Sequence, residues 1–169
     1  MNSAVKITLA VEIGINFMTN CLLNALCAWL INKNADVVTT NAVGIFIDTC
    51  ITCLFICLCT TPFAVAAAKR YQKSGILKEW KPKAGFLAHY PKNPVLLALS
   101  FAFSIMLPIG ILLGIGFSAF GISVLPILNF VLYKGISGGI IGGCVCALTL
   151  VRYQFLQKGA RRYEQASRY

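Results

Sequence analysis

Four continuous apolar stretches fill most of the chain, near residues 7–31, 42–68, 94–120 and 125–151. Each is long enough to cross a bilayer, which takes about 20 residues in a helix. Lipid offers the backbone no hydrogen-bond partners, so a crossing segment must satisfy its own amides as a helix does. The chain is 58% hydrophobic with 12% charged residues, against roughly 25% charged in a soluble domain. The expected fold is an all-α integral membrane protein with four transmembrane helices and no separate soluble domain.

The formal charge of +10 is unevenly distributed. Lys6 precedes the first span; Lys69, Arg70, Lys73, Lys78, Lys81, Lys83 and Lys92 lie between the second and third; Arg152, Lys158, Arg161, Arg162 and Arg168 follow the fourth. The other two loops carry only Lys33 among basic residues. Positive residues beside spans stay on the cytoplasmic side. This predicts both termini inside, in the cell (inner) membrane, with the basic loop and tail touching anionic inner-leaflet lipids. The basic residues lack the aromatic interleaving of a nucleic-acid module, so no nucleic-acid partner is expected. The length and polar ridge of span one argue against a cleaved signal, whose apolar region runs about 7–15 residues, although small residues of the kind a cleavage site uses stand at Ala25 and Cys27.

The chain divides into a first hairpin (1–72), a basic interfacial loop (73–93), a second hairpin (94–151) and a basic tail (152–169). Both second helices run into one tripeptide, Arg70-Tyr71-Gln72 and Arg152-Tyr153-Gln154. A shift of 86 sets Asp48 opposite Lys134 and one of 88 sets Asn16 opposite Ser104, and a one-turn gap is then needed to match the tripeptides. Two such hairpins form a parallel repeat about an axis along the membrane normal. The loop holds Trp80, Phe86, His89 and Tyr90 together with lysines, a mixture that favours the headgroup zone. His89, the only histidine, is read as interfacial.

All eight cysteines fall inside the spans. Cys50 and Cys53 have a redox or metal spacing, but mid-helix they are expected to pack as small hydrophobes. No cofactor or metal is expected. Gly110 and Gly114 in span three, and Gly135, Gly139 and Gly143 in span four, recur at i+4, with Gly138 and Gly142 in a parallel row. Such spacing lets helix backbones approach closely. Two glycine faces in one half suit one internal and one subunit contact, so a homodimer is expected. Pro108 is expected to kink span three.

Glu12, Asn16, Asn20 and Asn24 stand at strict i+4 spacing in span one, forming a ridge that must face protein or water. By a rise of about 1.5 Å per residue, Asp48 and Asn24 lie about 10 Å from the outer face, with Asn20 and Lys134 near the midplane. Asn20, Asn24, Asp48 and Lys134 are therefore expected to meet in one layer, with Asn16, Thr49, Thr52 and Ser104 around them. Amides donate and accept at once, which suits a small polar solute or ion. Glu12 and Asp48 are candidates for an ion or proton relay, since intramembrane acids point to function.

The reading drawn is a small transporter or channel rather than an enzyme. The alternatives are a non-transporting subunit or assembly factor of a larger membrane complex and, third, a membrane enzyme on a lipophilic substrate. The last lacks any nucleophile-base pairing, metal cluster or nucleotide loop.

Overall fold

The computed structural model describes residues 3–76 and 85–166. Its elements are α1 (Ser3–Asn32), β1 (Val37–Thr39), α2 (Ala42–Lys73), a 3₁₀ turn (Gly85–His89), α3 (Pro94–Ala119), β2 (Val124–Pro126) and α4 (Ile127–Ala166). All four α-helices contain segments long and apolar enough to span a membrane. This is a helical, multi-pass membrane architecture. Large apolar side chains such as Ile31, Phe63, Leu112 and Ile115 stand exposed around the bundle, as a lipid-facing surface requires.

The helix ends follow from local chemistry. Asn41 caps α2 by accepting from the Gly44 amide at 2.7 Å, and Asn93 caps α3 with Pro94 at the first helical position. At the end of α3, Gly121 adopts φ 64°. The Ile122 amide then reaches the Phe117 carbonyl and the Gly121 amide that of Ser118, a Schellman closure. Part of the 73–93 loop, 77–84, lies outside the described residues. Its end is the 3₁₀ turn, where the exposed His89 ring lies 3.3 Å from the Phe86 carbonyl. The backbone of α4 stays helical well past the expected end of the fourth span.

Helices joined by short loops are not the ones that pack most closely. α1 lies along α4, α2 lies along α3 and also along α4, while α1 and α2 meet only sparsely. The order across the bundle is thus α1, α4, α2, α3, with the α4 span the most buried of the four. Cys53, Ile56, Cys57, Phe101, Val145, Cys146 and Leu150 form the main core between α2, α3 and α4. All eight cysteines are free thiols, and these three pack as small apolar groups.

At one end, β1 and β2 pair antiparallel with Val38 opposite Leu125. The ladder is continued by Thr40 N–H to the Ser123 carbonyl and Ile127 N–H to the Asp36 carbonyl. This tie had no signal in the sequence, because two three-residue strands carry no periodicity. The opposite end is closed by the two tripeptides. Gln72 Nε2 donates to the Tyr153 carbonyl at 2.9 Å. The Arg152 guanidinium donates to the Tyr90 carbonyl through Nε at 3.0 Å and a terminal nitrogen at 2.5 Å.

The glycine rows have assigned partners. Gly110 and Gly114 face Phe46, Cys50 and Ala42 of α2, and Gly135, Gly139 and Gly143 face Ile13, Phe17, Cys21 and Ala25 of α1. Both rows are used inside one chain. A Cβ at Gly110 would sit 2.9 Å from the Phe46 ring, whereas one at Gly116 meets nothing within 4 Å. Gly110→Ala should therefore lower stability by about 1–3 kcal/mol through overpacking. Gly116→Ala should raise it by roughly 0.5–1 kcal/mol through helix propensity. Unfolding midpoints in one detergent check the opposite signs, and equal shifts would contradict the α2–α3 register.

Candidate functional site

The ridge on α1 faces α4, where the second glycine row receives it. Gly142 lies under the Asn20 side chain and Gly138 under Asn24, so that a Cβ at either would collide with the amide. Asn16 follows in the same register and donates to Cys146 Sγ at 3.3 Å. Each amide also bonds within its own helix: Asn16 to the Glu12 carbonyl, Asn20 to Asn16 and Asn24 to Asn20, at 2.8–2.9 Å. These bonds to carbonyls four residues back let a polar ridge cross an apolar layer without a solute. Asn20, which is buried, reaches further and donates to Thr60 Oγ1 on α2 at 3.1 Å.

Two turns before Asn20 on α1, Glu12 closes the ridge against the end of α2. Its Oε1 accepts from Tyr71 Oη at 2.5 Å and from an Arg70 terminal nitrogen at 3.1 Å. The pair is lopsided: the Glu12 side chain is 11% exposed and that of Arg70 is 68%. Both contacts fall on one oxygen, and among the described residues no hydrogen bond reaches Oε2. Beside the carboxylate lies a cavity of about 470 Å³ lined by Glu12, Ile15, Asn16, Thr19, Phe63, Ala66, Ala67 and Arg70. Volumes of roughly 300–1,000 Å³ are usual for small-molecule sites.

The other ionic group lies nearer the β1–β2 end. Lys134 Nζ of α4 donates to Asp48 Oδ2 of α2 at 2.7 Å and to Thr52 Oγ1 at 2.5 Å. Here the cation is the covered partner, 9% exposed against 39% for Asp48. Thr49 is buried next to Asp48 on α2. Tyr133, beside Lys134, packs edge-on against Phe117.

The residues expected to converge in one layer thus occupy separate places. Asp48, Lys134 and Thr52 meet, but among the described residues no hydrogen bond joins Asn20 or Asn24 to them. Asn20 pairs with Thr60, Asn24 packs on Gly138, and Glu12 with Asn16 lines the cavity. Ser104 is on α3, bonded to the Ser100 carbonyl and to Tyr90 Oη. Sequence reasoning did not pick out Thr60, Tyr71, Thr19 or Phe63 as site residues, and took Arg70 as a topological charge. The one available signal was the Arg-Tyr-Gln tripeptide, whose first copy supplies both ligands of Glu12.

Among the described residues, no group of three or more His, Cys, Asp or Glu could hold a metal. Comparison of the chain with protein-family models, with curated proteins and with solved structures finds no match.

Proposed function

We propose that this chain is a small transporter or channel of the cell membrane, with both termini cytoplasmic, moving a small polar solute or ion. The observation that carries the reading is the cavity between α1 and α2, where a covered carboxylate meets Asn16, Thr19 and a displaceable Arg70. An acid held at such depth is costly unless it has a task or a partner, and Arg70, mostly exposed, is a partner able to leave. The positive-inside asymmetry puts this cavity near the cytoplasmic surface, in contact with anionic lipids.

The proposal includes an internal repeat. A two-fold relating α1 to α3 and α2 to α4 would map the α1–α4 contact onto the α3–α2 contact. It would also place equivalent strands side by side in an antiparallel pair. The observed packing and the Val38–Leu125 register support that reading. Rocking of one half on the other would then expose the ridge alternately. A homodimer is part of the same proposal, but the glycine rows do not argue for it, since both are covered within the chain.

Proteoliposomes offered a panel of ions and small polar solutes should show flux that Glu12→Gln reduces at least tenfold. Gly14→Ala, at a position with nothing within 4 Å, serves as the control. A folded wild-type protein that moves nothing in the panel would overturn the reading. A second reading, a non-transporting subunit of a larger membrane complex, is favoured by the asparagine ridge itself, whose amides are spent on helix carbonyls and glycine contacts. Native pull-down would then yield a stoichiometric partner, in the absence of flux.

A further inference from the structure

We infer that the α1–α2 cavity binds lipophilic amines in their protonated form, admitted sideways from the bilayer. The inference narrows the transport reading just given and rests on it for the site. It begins with the carboxylate. Glu12 is covered, and Oε1 carries both of its hydrogen bonds. Among the described residues no hydrogen bond reaches Oε2, and the carboxylate borders the cavity. A covered carboxylate oxygen is best completed by a charged N–H donor, which supplies both the hydrogen bond and the countercharge. An ammonium does this; a carboxylate or phosphate brought to Oε2 would meet like charge, while Arg70 in the same lining is already paired with Oε1.

The rest of the cavity selects the remainder of the molecule. Ile15, Phe63, Ala66 and Ala67 give it an apolar wall. Ile15 is 56% and Phe63 75% exposed on the lipid-facing surface, so the cavity opens between sparsely touching helices toward the bilayer. A ligand arriving from lipid brings an apolar tail to that wall, and the Phe63 ring face attracts a passing cation. Asn16 and Thr19 offer oxygens for any further N–H of the ammonium. Arg70 is held to Glu12 by one contact at 3.1 Å and is mostly in the open. It can withdraw when the amine arrives, so the carboxylate is never left alone. A quaternary ammonium, with no N–H to give Oε2, should bind more weakly than an amine of the same size.

The test compares three probes with one tail, 4-phenylbutylamine, 4-phenylbutanol and 4-phenylbutyrate, in nanodiscs holding the full chain. Radiolabelled phenylbutylamine should bind saturably, and neither the alcohol nor the acid should compete at tenfold excess. Glu12→Gln should weaken binding at least tenfold. Because that change also disturbs Arg70 and Tyr71, Ala66→Leu provides a second variant. It fills the cavity while leaving the Glu12 contacts in place, and it too should weaken binding at least tenfold. Amine uptake unchanged in both variants would be partition into lipid and would overturn the inference, as would equal competition by phenylbutyrate. Saturable binding without flux would uphold the ligand class while counting against transport. Flux of other solutes without amine binding would do the reverse.

Discussion

Gly142→Ala should cost this protein a large part of its stability, although the change adds a single methyl group. A Cβ at Gly142 would lie 2.7 Å from the Asn20 Cβ, with the Asn20 Cγ and Nδ2 closer still. The obstacle includes the root of the side chain as well as its tip, so rotation of Asn20 cannot clear it. Either α1 moves off α4, or the Asn20 amide is forced from its bond to Thr60. Overpacking costs about 1–3 kcal/mol, and stranding a buried amide adds about 1–3 kcal/mol. A combined loss of roughly 3–5 kcal/mol is a large fraction of the 5–15 kcal/mol that holds an average domain. Gly14→Ala makes the same chemical change on α1 with nothing within 4 Å, and should leave stability equal or higher. Chemical unfolding in detergent should separate the two midpoints widely. Coincident midpoints would mean that α1 does not seat its asparagines on α4.

That contact explains which parts of the molecule could be read in the sequence. The four spans were legible because a bilayer dictates the length and composition of anything that crosses it, independent of neighbours. The rows of small residues were legible for a related reason: Gly135, Gly139 and Gly143 announce close approach. They carry no address, however, since a flat glycine face accepts any helix. That α1 is the partner became visible only through the Asn20–Gly142 and Asn24–Gly138 juxtapositions.

The site was legible in its members more than in its arrangement. The i+4 spacing of Glu12, Asn16, Asn20 and Asn24 signals one polar face, and one face there is. Sequence spacing cannot tell an amide that awaits a solute from one that bonds the carbonyl four residues back, because both require the same periodicity. Depth alone likewise grouped Asn20 and Asn24 with Asp48 and Lys134, yet depth says nothing about which side of a helix a residue occupies. Arg70 shows the opposite error. Counted with the basic loop, it served only to orient the chain, while its guanidinium reaches back along α2 to Glu12. A long flexible side chain at a span boundary can belong to either world.

The Asp48–Lys134 pair should respond asymmetrically to the loss of each partner. Asp48→Asn leaves an ammonium that is 9% exposed with only neutral acceptors, the Thr52 hydroxyl and the new amide oxygen. Breaking a buried pair in this way costs about 3–5 kcal/mol, because the stranded charge has lost its counterion. Lys134→Met strands the carboxylate instead, and Asp48 is 39% exposed. The 32-residue α2 is longer than the hydrocarbon layer requires, so headgroups around its first turns can solvate Asp48, and the loss should be smaller, about 1 kcal/mol as for an accessible pair. The order of the two unfolding midpoints is the measurement, and a Lys134→Met variant less stable than Asp48→Asn would refute the geometry. The double variant Asp48→Leu/Lys134→Met then separates structure from function. Replacing both charges by apolar groups of similar volume is often neutral, so the double variant should regain most of the stability that Asp48→Asn loses. If flux in proteoliposomes returns with it, the pair is a clamp between α2 and α4. If the protein refolds but flux stays lost, the charges belong to the path that solute or ion takes.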